Sequence, residues 1–262
     1  QTSVTQLFIA GLGPGLFIAA SLIVMVQIWC RVKGYGKDDG KDRVPIIGSF
    51  TKAFWALMMP LLIIGGIYGG IFTPTEAAAV AVAYALFLGL FVYKEMKFSD
   101  LPELFHNAAI SSGAVMLIIS AASLFSFLVS LSGIPNAVGA WAQTTFDHAW
   151  SFLLAINILL FCIGMFIETA AAILVLAPIL TPVAIAYGID PVHFGIVVVV
   201  NLALGMFTPP LGVNLFAAAQ VAKIPVQKMF KSLVLPVGTM ITALIIITYV
   251  PQVSLFLRDL MQ

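Results

Sequence analysis

The sequence of 262 residues is strongly apolar and weakly charged: 61% of the residues are hydrophobic, 9% are charged, and the net charge is +1. A soluble domain carries about 25% charged residues, so the composition excludes a water-soluble globular protein. The small net charge gives no indication of nucleic-acid binding. No signal peptide is predicted, because no basic stretch followed by a short apolar core lies near Gln1. The sequence predicts an all-α polytopic membrane protein built from helices of about 20 residues.

The first half of the chain, residues 1–132, is predicted to form scaffold-like transmembrane helices with a charged loop at 31–45. Residues 133–150 follow as an amphipathic segment expected at the membrane interface, where the indole rings of Trp141 and Trp150 suit the aromatic belt. The apolar stretches assigned to helices are 7–30, 46–71, 72–93 and 106–132.

Two apolar arms and an interrupted helix make up the second half. The arms, Ser151 to Ile167 and Thr169 to Tyr187, are 17 and 19 residues long, which is marginal for crossing a hydrocarbon core of about 30 Å. Residues 151–187 therefore form either two crossings or a re-entrant helical hairpin. An apolar segment at 191–221, interrupted at 205–212, follows, and a last transmembrane helix is predicted at 230–257.

The basic residues predict the orientation in the membrane. Both alternatives for 151–187 return the chain to the side that it left, so eleven of the twelve Lys and Arg residues share one face. The positive-inside rule assigns that face to the cytoplasm. The loop 31–45 is then cytoplasmic and the C-terminus periplasmic, with Arg258 as the exception. The eleven residues are Arg31, Lys33, Lys37, Lys41, Arg43, Lys52, Lys94, Lys97, Lys223, Lys228 and Lys231.

Two helix-breaking runs, 70–76 and 205–212, lie inside otherwise apolar sequence, and both contain Gly and Thr-Pro. Broken backbone at membrane depth persists only where protein buries it or where it lines a polar cavity. Paired breaks of this kind indicate the substrate and ion site of a secondary transporter. The first break lies near the outer membrane boundary, where Glu76 is predicted to cap the helix after Thr73-Pro74. The second interrupts a single span and is the stronger candidate for a site.

The second break suits a cation at one end and an anion at the other. Pro209 and Pro210 have no N–H, so the carbonyls upstream lose their helical partners. These oxygens and the Thr208 hydroxyl are suited to Na⁺, while the N–H groups that begin the next helical segment favour an anion. Alternatively, the break is a proline kink that neighbouring helices satisfy. Asn201 and Asn214 flank the break. For each, a place in the site and a hydrogen bond between helices are equally consistent with the sequence.

Only two of the eleven acidic residues, Glu76 and Glu168, lie within apolar segments. Acidic side chains inside a membrane are costly and are functional by default. Glu168 lies between the two apolar arms, where its carboxylate either caps the second arm or faces a cation.

Three long motifs, taken in chain order, resemble the large membrane subunit (the M, or DctM-like, subunit) of tripartite ATP-independent periplasmic (TRAP) transporters. They occupy 65–86, with Gly-Ile-Phe-Thr-Pro-Thr-Glu; 164–180, with Gly-Met-Phe-Ile-Glu-Thr-Ala-Ala-Ala; and 188–216, with Gly-Met-Phe-Thr-Pro-Pro-Leu-Gly. The resemblance covers essentially the whole chain. The hairpin tip and the break that mark the first half of the family are absent, so this chain is expected to hold the C-terminal repeat.

The resemblance implies an elevator-type ion transporter in which each of two inverted repeats holds a re-entrant hairpin and a broken helix. Residues 151–187 are then the second hairpin, and 192–218 the broken helix that faces it. Na⁺ is implied as the coupling ion, with no other cofactor. The implied Na⁺-binding residues are Gly164, Glu168, Thr169, Gly205, Met206, Phe207 and Thr208. The implied substrate-binding residues are Pro209, Pro210, Asn214 and Asn201.

The resemblance also implies partners and a location. The substrate is expected to be an organic carboxylate of the sialic acid or C4-dicarboxylate class, delivered by a periplasmic binding protein. A small four-helix membrane subunit and the N-terminal half of the same large subunit complete the transporter in the bacterial inner membrane. No nucleic acid is expected to bind.

Two classes of alternative remain at this point: a passive channel or other Na⁺/H⁺-coupled anion transporter without a binding protein, and an intramembrane enzyme. A channel requires rings of like residues or a continuous polar stripe, whereas the polar groups here cluster at the breaks. His106, His148 and His193 lie near predicted span ends and far in sequence from Glu168. No catalytic residue and no enzymatic activity are therefore predicted.

Overall fold

A computed structural model of the protein describes residues 3–34 and 46–260. Within those two ranges every regular element is helical, and five helices are long and apolar enough to cross a membrane, or six when a bent pair counts as one span. The predicted all-α polytopic membrane fold is thus confirmed. Residues 35–45, most of the predicted cytoplasmic loop, lie outside the described residues. The helices are α1 Val4–Lys33, α2 Ile46–Tyr68, α3 Pro74–Phe87, α4 Leu101–Ser132, α5 Ile134–Thr145, α6 Ala149–Gly164, α7 Thr169–Ala186, α8 Pro191–Gly205, α9 Val213–Ala222, α10 Val226–Tyr249 and α11 Gln252–Leu260.

The chain forms two compact units. The smaller unit contains α2, α3 and the first half of α4, which passes out of this unit after Val115. The larger unit contains nearly all of α1, the rest of α4 and α5 to α11. Every residue that the sequence analysis assigned to ion or substrate binding lies in the larger unit.

A capping box starts α3 in the smaller unit. Gly70 has a positive φ of 66° and helps to end the preceding helical turn. Thr73 Oγ1 accepts a hydrogen bond from the Glu76 N–H at 3.3 Å, and Glu76 Oε2 accepts one from the Thr73 N–H at 2.8 Å. Pro74 occupies the first turn, where its missing N–H costs nothing. The prediction that Glu76 caps this helix is confirmed, so the first break is explained by local structure alone.

The apolar core of the larger unit lies between α5, α6, α7 and α8. Leu160 of α6, Val183 of α7 and Phe194 and Leu202 of α8 are almost completely buried there. Burial of such side chains contributes about 1.5 to 3 kcal/mol each in water. Long apolar side chains on α1 and α4 are instead exposed, as expected for helices that face lipid, because lipid tails are as apolar as leucine. The core therefore supports the elements that carry the candidate site.

Helices α6 and α7 form an antiparallel hairpin. At its open end the Tyr187 hydroxyl donates to the Phe146 carbonyl at 2.9 Å, and the Phe152 and Tyr187 rings stack with centroids 4.7 Å apart. The turn at its closed end is 165–168, between the end of α6 and the start of α7. This hairpin occupies the residues predicted at 151–187, and its re-entrant position in a membrane stays a prediction.

The segment 133–150 contains α5 and the turn into α6. α5 packs on α7, where Ala142 is buried and the space beside Gly139 is bounded by Val183. α5 and α6 are bent by 119° relative to each other, so α5 does not extend the hairpin arm. Its predicted place at the membrane interface is consistent with this bend but stays a prediction.

The last predicted transmembrane helix, 230–257, differs from the helices in the structure. α10 begins earlier and ends at Tyr249, and α11 forms a separate helix after Pro251. Proline has no N–H and disfavours helical geometry in the residue before it, and Val250 accordingly has φ −119° and ψ 83°. The apolar character of the segment concealed this stop, which Pro251 alone signals.

Candidate functional site

The α6–α7 turn meets the α8–α9 break inside the larger unit. α6 ends at Gly164 and α8 ends at Gly205. A Cβ added to Gly205 would lie 2.4 Å from the carbonyl carbon of Gly164, and one added to Gly164 would lie 2.8 Å from the Leu202 oxygen. The two glycines thus allow two backbones to touch where no side chain fits. The structure brings together the tip and the break that the sequence analysis assigned to Na⁺.

Two hydrogen bonds join the tip to the break. The Thr169 hydroxyl lies 2.8 Å from Met206 Sδ, to which it donates, and the Gly212 N–H donates to the Met165 carbonyl at 3.5 Å. The first bond connects the first turn of α7 to the residue that ends α8. The second reaches across the full length of the break. Thr169 and Met206 of the predicted Na⁺ set are therefore in direct contact.

The prolines of the break deprive two carbonyls of their helical donors, as predicted. In a continuous helix the carbonyls of Gly205 and Met206 would accept from residues 209 and 210, both of which are proline. Gly205 O instead accepts from the Thr208 N–H at 2.9 Å, and Met206 O accepts from the Asn214 N–H at 3.2 Å. A carbonyl oxygen has two lone pairs, so each keeps a second acceptor position that a cation can use.

The two side chains before Pro209 have different environments. Thr208 is buried, and its hydroxyl donates to the Leu204 carbonyl at 3.0 Å. Phe207 is 39% exposed, so its ring does not share the buried environment of Thr208. With its proton directed to Leu204, the Thr208 hydroxyl presents only lone pairs to other partners.

Glu168 is the N-cap of α7. Its Oε2 accepts a hydrogen bond from the Ala171 N–H at 3.1 Å, and the side chain is exposed. The capping interpretation is thus confirmed, and the carboxylate adds negative charge at the tip, one residue from Thr169. The participation of Glu168 in cation binding stays a prediction.

The residues assigned to substrate binding fall into two groups. Pro209, Pro210 and Asn214 lie in or directly after the break; the Pro209-Pro210 peptide bond is cis, Pro210 is exposed, and Asn214 is half-buried. Asn201 lies seven residues before Thr208, about 10 Å along the helix axis, and is fully buried. The structure therefore keeps the first three near the tip and separates Asn201 from them.

Asn201 makes hydrogen bonds between helices, one of the two alternatives that its sequence position allowed, but its partners Asn157 and Thr248 were not predicted. Its Nδ2 donates to the carbonyl of Asn157 at 3.0 Å and to Asn157 Oδ1 at 2.7 Å. Asn157 Nδ2 in turn donates to Thr248 Oγ1 at 3.3 Å and to the Leu153 carbonyl. These side chains connect α6, α8 and α10. The sequence did indicate a hydrogen-bonding role for Asn157, because it is the one amide in an otherwise apolar arm.

An ion pair closes the opposite end of the larger unit. Asp190 caps α8 by accepting from the N–H groups of Val192 and His193, and its Oδ2 accepts from Arg258 Nη1 of α11 at 2.8 Å. Partial burial raises the pKa of the Asp190 carboxyl, but the hydrogen bonds from Arg258 and from the two N–H groups outweigh this effect. The net pKa lies below the ordinary value, because these groups favour the charged form.

Replacing Arg258 with glutamine is expected to destabilise the protein by about 1 kcal/mol at neutral pH. A depressed Asp pKa contributes stability above the unfolded pKa of about 3.9 and loses it as pH falls through the folded value. The difference in thermal stability between wild type and Arg258→Gln should therefore shrink below about pH 4. Asp259→Asn is the matched control, because it removes only the more exposed carboxylate that contacts Arg258. An undiminished difference at low pH would contradict this role.

The fold and this meeting of a hairpin tip with a broken helix define a class: a polytopic membrane protein of the secondary-transporter type. The family described as tripartite ATP-independent periplasmic transporter, DctM component, has a sequence model that matches residues 1–253. The chain belongs to this family, the large permeases of TRAP transporters, which is a transporter family and not an enzyme family.

The names of the curated relatives state several different anions. The chain is 42% identical to the C4-dicarboxylate TRAP transporter large permease protein DctM of Rhodobacter capsulatus, over 100% of the chain and 59% of the relative. It is 40% identical to the isethionate TRAP transporter permease protein DctMQ of Oleidesulfovibrio alaskensis, over 98% of the chain and 40% of the relative. It is 37% identical to the sialic acid TRAP transporter large permease protein SiaM of Vibrio cholerae, over 99% of the chain and 61% of the relative. The chain thus spans about three fifths or less of the length of these relatives.

Proposed function

We propose that this chain is part of a Na⁺-driven secondary transporter that takes up an organic carboxylate by an elevator mechanism. The observation that carries the proposal is the backbone contact between Gly164 at the hairpin tip and Gly205 at the helix break. Transporter sites of this kind are built where discontinuous helices present backbone carbonyls to a cation and half-helix N-termini to an anion. Both kinds of group lie within the 205–214 segment.

The lengths of α6 and α8 support a site inside the membrane, where the hairpin tip meets the helix break. α6 and α8, with 16 and 15 residues, are about 24 Å and 22 Å long. Both begin beside the C-terminal end of α10, where the Tyr249 hydroxyl donates to the Trp150 carbonyl and His193 Nε2 lies 3.2 Å from the Thr248 carbonyl oxygen. α10 is about 36 Å long. The tip and the break therefore lie within the depth that α10 spans, as a site at mid-membrane requires.

The proposed Na⁺ ligands are oxygen atoms of the tip and the break. The carbonyls of Gly205 and Met206 have lost their helical donors. The Thr208 hydroxyl bonds to the preceding Leu204 carbonyl, and the Thr169 hydroxyl contacts the Met206 side chain. Gly164 contributes by permitting the close approach, and Phe207 by its backbone. Glu168 lowers the electrostatic cost of a cation at this depth because its carboxylate caps α7 beside the tip.

The proposed substrate is an anion held without a basic side chain from this region. No Lys or Arg occurs between 149 and 222, so bound Na⁺ and the N–H groups at the start of α9 would supply the positive charge. Pro209, Pro210 and Asn214 border the place where that anion would lie. The transported anions in the names of the relatives, C4-dicarboxylate, isethionate and sialic acid, are consistent with this chemistry.

The proposed transporter includes other parts. The chain covers 59% of the R. capsulatus relative, and we infer that an N-terminal half of the large subunit completes the site. A small four-helix membrane subunit and a periplasmic binding protein that delivers the substrate are the further proposed partners. The proposed location is the bacterial inner membrane, with the loop 31–45 in the cytoplasm and the C-terminus in the periplasm.

Thr208→Val and Thr169→Val should each raise the Na⁺ concentration required for half-maximal uptake by about five-fold or more, because each removes one oxygen ligand worth about 1 kcal/mol. The measurement is the initial rate of labelled carboxylate uptake into proteoliposomes that contain the complete transporter and its binding protein. Thr145→Val is the control, because the Thr145 hydroxyl donates to the carbonyl four residues earlier as Thr208 does, but lies in α5. Wild-type Na⁺ dependence in both site variants would refute the Na⁺ assignment.

Variants of Glu168 separate its two roles in the same assay. Glu168→Gln keeps an oxygen that can accept from the Ala171 N–H and removes the charge, whereas Glu168→Ala removes both. A five-fold or greater weakening of Na⁺ dependence in both variants is expected if the charge supports the cation. A defect confined to Glu168→Ala would assign Glu168 to helix capping alone.

A further inference from the structure

We propose that the groove between α1 and α10 binds one anionic phospholipid, of the phosphatidylglycerol class. The groove is an open cavity of about 610 Å³, and a second cavity of about 660 Å³ continues from it along α10. Trp29, Leu235 and Thr239 line both cavities. Neither cavity belongs to the tip-and-break site, and the proposal does not depend on the transported substrate.

Among the residues that the structure describes, the contacts that hold α1 against other helices lie near its start. Near its start, Ala10 is buried against Ile247 and Ile196, and a Cβ on Gly13 would overlap the Val253 carbonyl oxygen. These contacts bring α1 close to α8, α10 and α11. Beyond Phe17 the facing surfaces of α1 and α10 enclose the cavity instead of packing on each other. A wedge-shaped space between two helices results.

The wall that α1 contributes is an apolar stripe with one polar residue, Ser21, whose hydroxyl donates to the Phe17 carbonyl. Its residues recur at intervals of three and four, so they share one face of the helix. From Phe17 to Val32 the stripe is about 22 Å long, which is longer than the roughly 15 Å of hydrocarbon in one leaflet. An acyl chain therefore fits along it. The residues are Phe17, Ala20, Ser21, Val24, Met25, Ile28, Trp29 and Val32.

Positive charge lies at one end of this apolar groove. The Lys33 ammonium lies 5.2 Å from the centre of the Trp29 ring, and Lys231 and Ser232 line the cavity that Trp29 shares. Among the described residues, no acidic side chain lines either cavity. Two lysines, an indole N–H and a hydroxyl are suited to a phosphodiester headgroup, and basic pockets between helices on the cytoplasmic side recognise anionic lipids.

The charge arrangement favours a phospholipid over a protein helix as occupant. A transmembrane helix from another part of the transporter would fill the apolar stripe, but it would complement Lys33 and Lys231 only if it carried acidic residues at that end. An anionic lipid satisfies the apolar wall and the basic end together. A zwitterionic lipid would do so less well, because its own positive group opposes the lysines.

Native mass spectrometry of the purified transporter tests this proposal with phosphatidylglycerol and phosphatidylcholine of matched acyl chains. The wild type should retain one phosphatidylglycerol at collision energies that remove phosphatidylcholine. Lys33→Gln combined with Lys231→Gln should lower that retention by about ten-fold. Lys223→Gln combined with Lys228→Gln is the control, because these lysines belong to the same unit but neither lines a cavity, as Lys231 does, nor lies over the Trp29 ring, as Lys33 does.

A second variant tests the apolar part of the groove. Leu235→Trp fills the space next to Thr239 and should displace the lipid even though both lysines remain. Equal retention of the two lipids by the wild type, or phosphatidylglycerol retention unchanged in both Lys33→Gln/Lys231→Gln and Leu235→Trp, would overturn the proposal. The second outcome would indicate that another segment of the transporter occupies the groove.

Discussion

Gly205→Ala is expected to push the broken helix away from the hairpin tip and to destabilise the protein by about 3 kcal/mol, the upper part of the range for overpacking. The added Cβ would lie 2.4 Å and 2.6 Å from the carbonyl carbon and Cα of Gly164, and 2.8 Å from the nitrogen of Met165. All three are backbone atoms, so no side chain can rotate to make room. The greater helix propensity of alanine, about 1 kcal/mol, is too small to compensate for moving two helices.

Thermal unfolding of the purified variant, together with Na⁺-dependent uptake, measures this effect. The melting temperature should fall by several degrees, and uptake should lose its Na⁺ dependence because the proposed ligands separate. Gly15→Ala is the control: a Cβ there meets nothing within 4 Å, so that variant should be neutral or slightly more stable. A Gly205→Ala protein that melts within about 1 °C of wild type would show that the two backbones do not touch in the membrane.

The fold class and the break were predictable because their signals are local. Long apolar stretches require helices in a bilayer, and Pro209 and Pro210 interrupt a helix wherever they occur. The capping of α3 by Glu76 was predictable for the same reason, since the capping box is contained in four consecutive residues. Such features depend on nearest neighbours in the sequence and need no knowledge of tertiary contacts.

The contacts between distant segments could not be obtained from residue patterns. Gly164 and Gly205 are 41 positions apart, and nothing in either local sequence indicates that a Cβ is excluded by the other backbone. The resemblance to a transporter family placed both in one site, but it did not supply the steric reason. The stop before α11 was missed because Pro251 lies inside an apolar run that is long enough to span the membrane.

Asn201 shows the same limitation in a more instructive form. A polar residue beside a helix break suggests a ligand, and an amide in an apolar helix also suggests a hydrogen bond to another helix. The choice depends on Asn157, which lies 44 residues away and pairs with Asn201 through its side chain and its carbonyl. These hydrogen bonds connect α8 to α6, and the assignment of Asn201 to substrate binding stays a prediction.

Asn201→Leu is expected to destabilise the protein by about 2 kcal/mol, because it removes the two hydrogen bonds that the Asn201 amide donates to the Asn157 carbonyl and Oδ1. Asn157→Leu should cost a similar amount for the converse reason. The double variant should be more stable than the sum of the single effects predicts, since an apolar pair leaves fewer polar groups unpaired. Unfolding free energies of the four proteins give the coupling, which should be about 1 kcal/mol.

Uptake kinetics distinguish this role from direct contact with the substrate. If Asn201 only positions α8, Asn201→Leu should lower the maximal rate in parallel with stability, and the leucine pair should recover both. A substrate ligand would behave differently: uptake by the double variant would stay as defective as that of Asn201→Leu, with a raised substrate concentration at half-maximal rate. That second result would show that Asn201 binds the substrate. Recovery in the double variant would show instead that Asn201 positions α8, and with it the helix break, against α6.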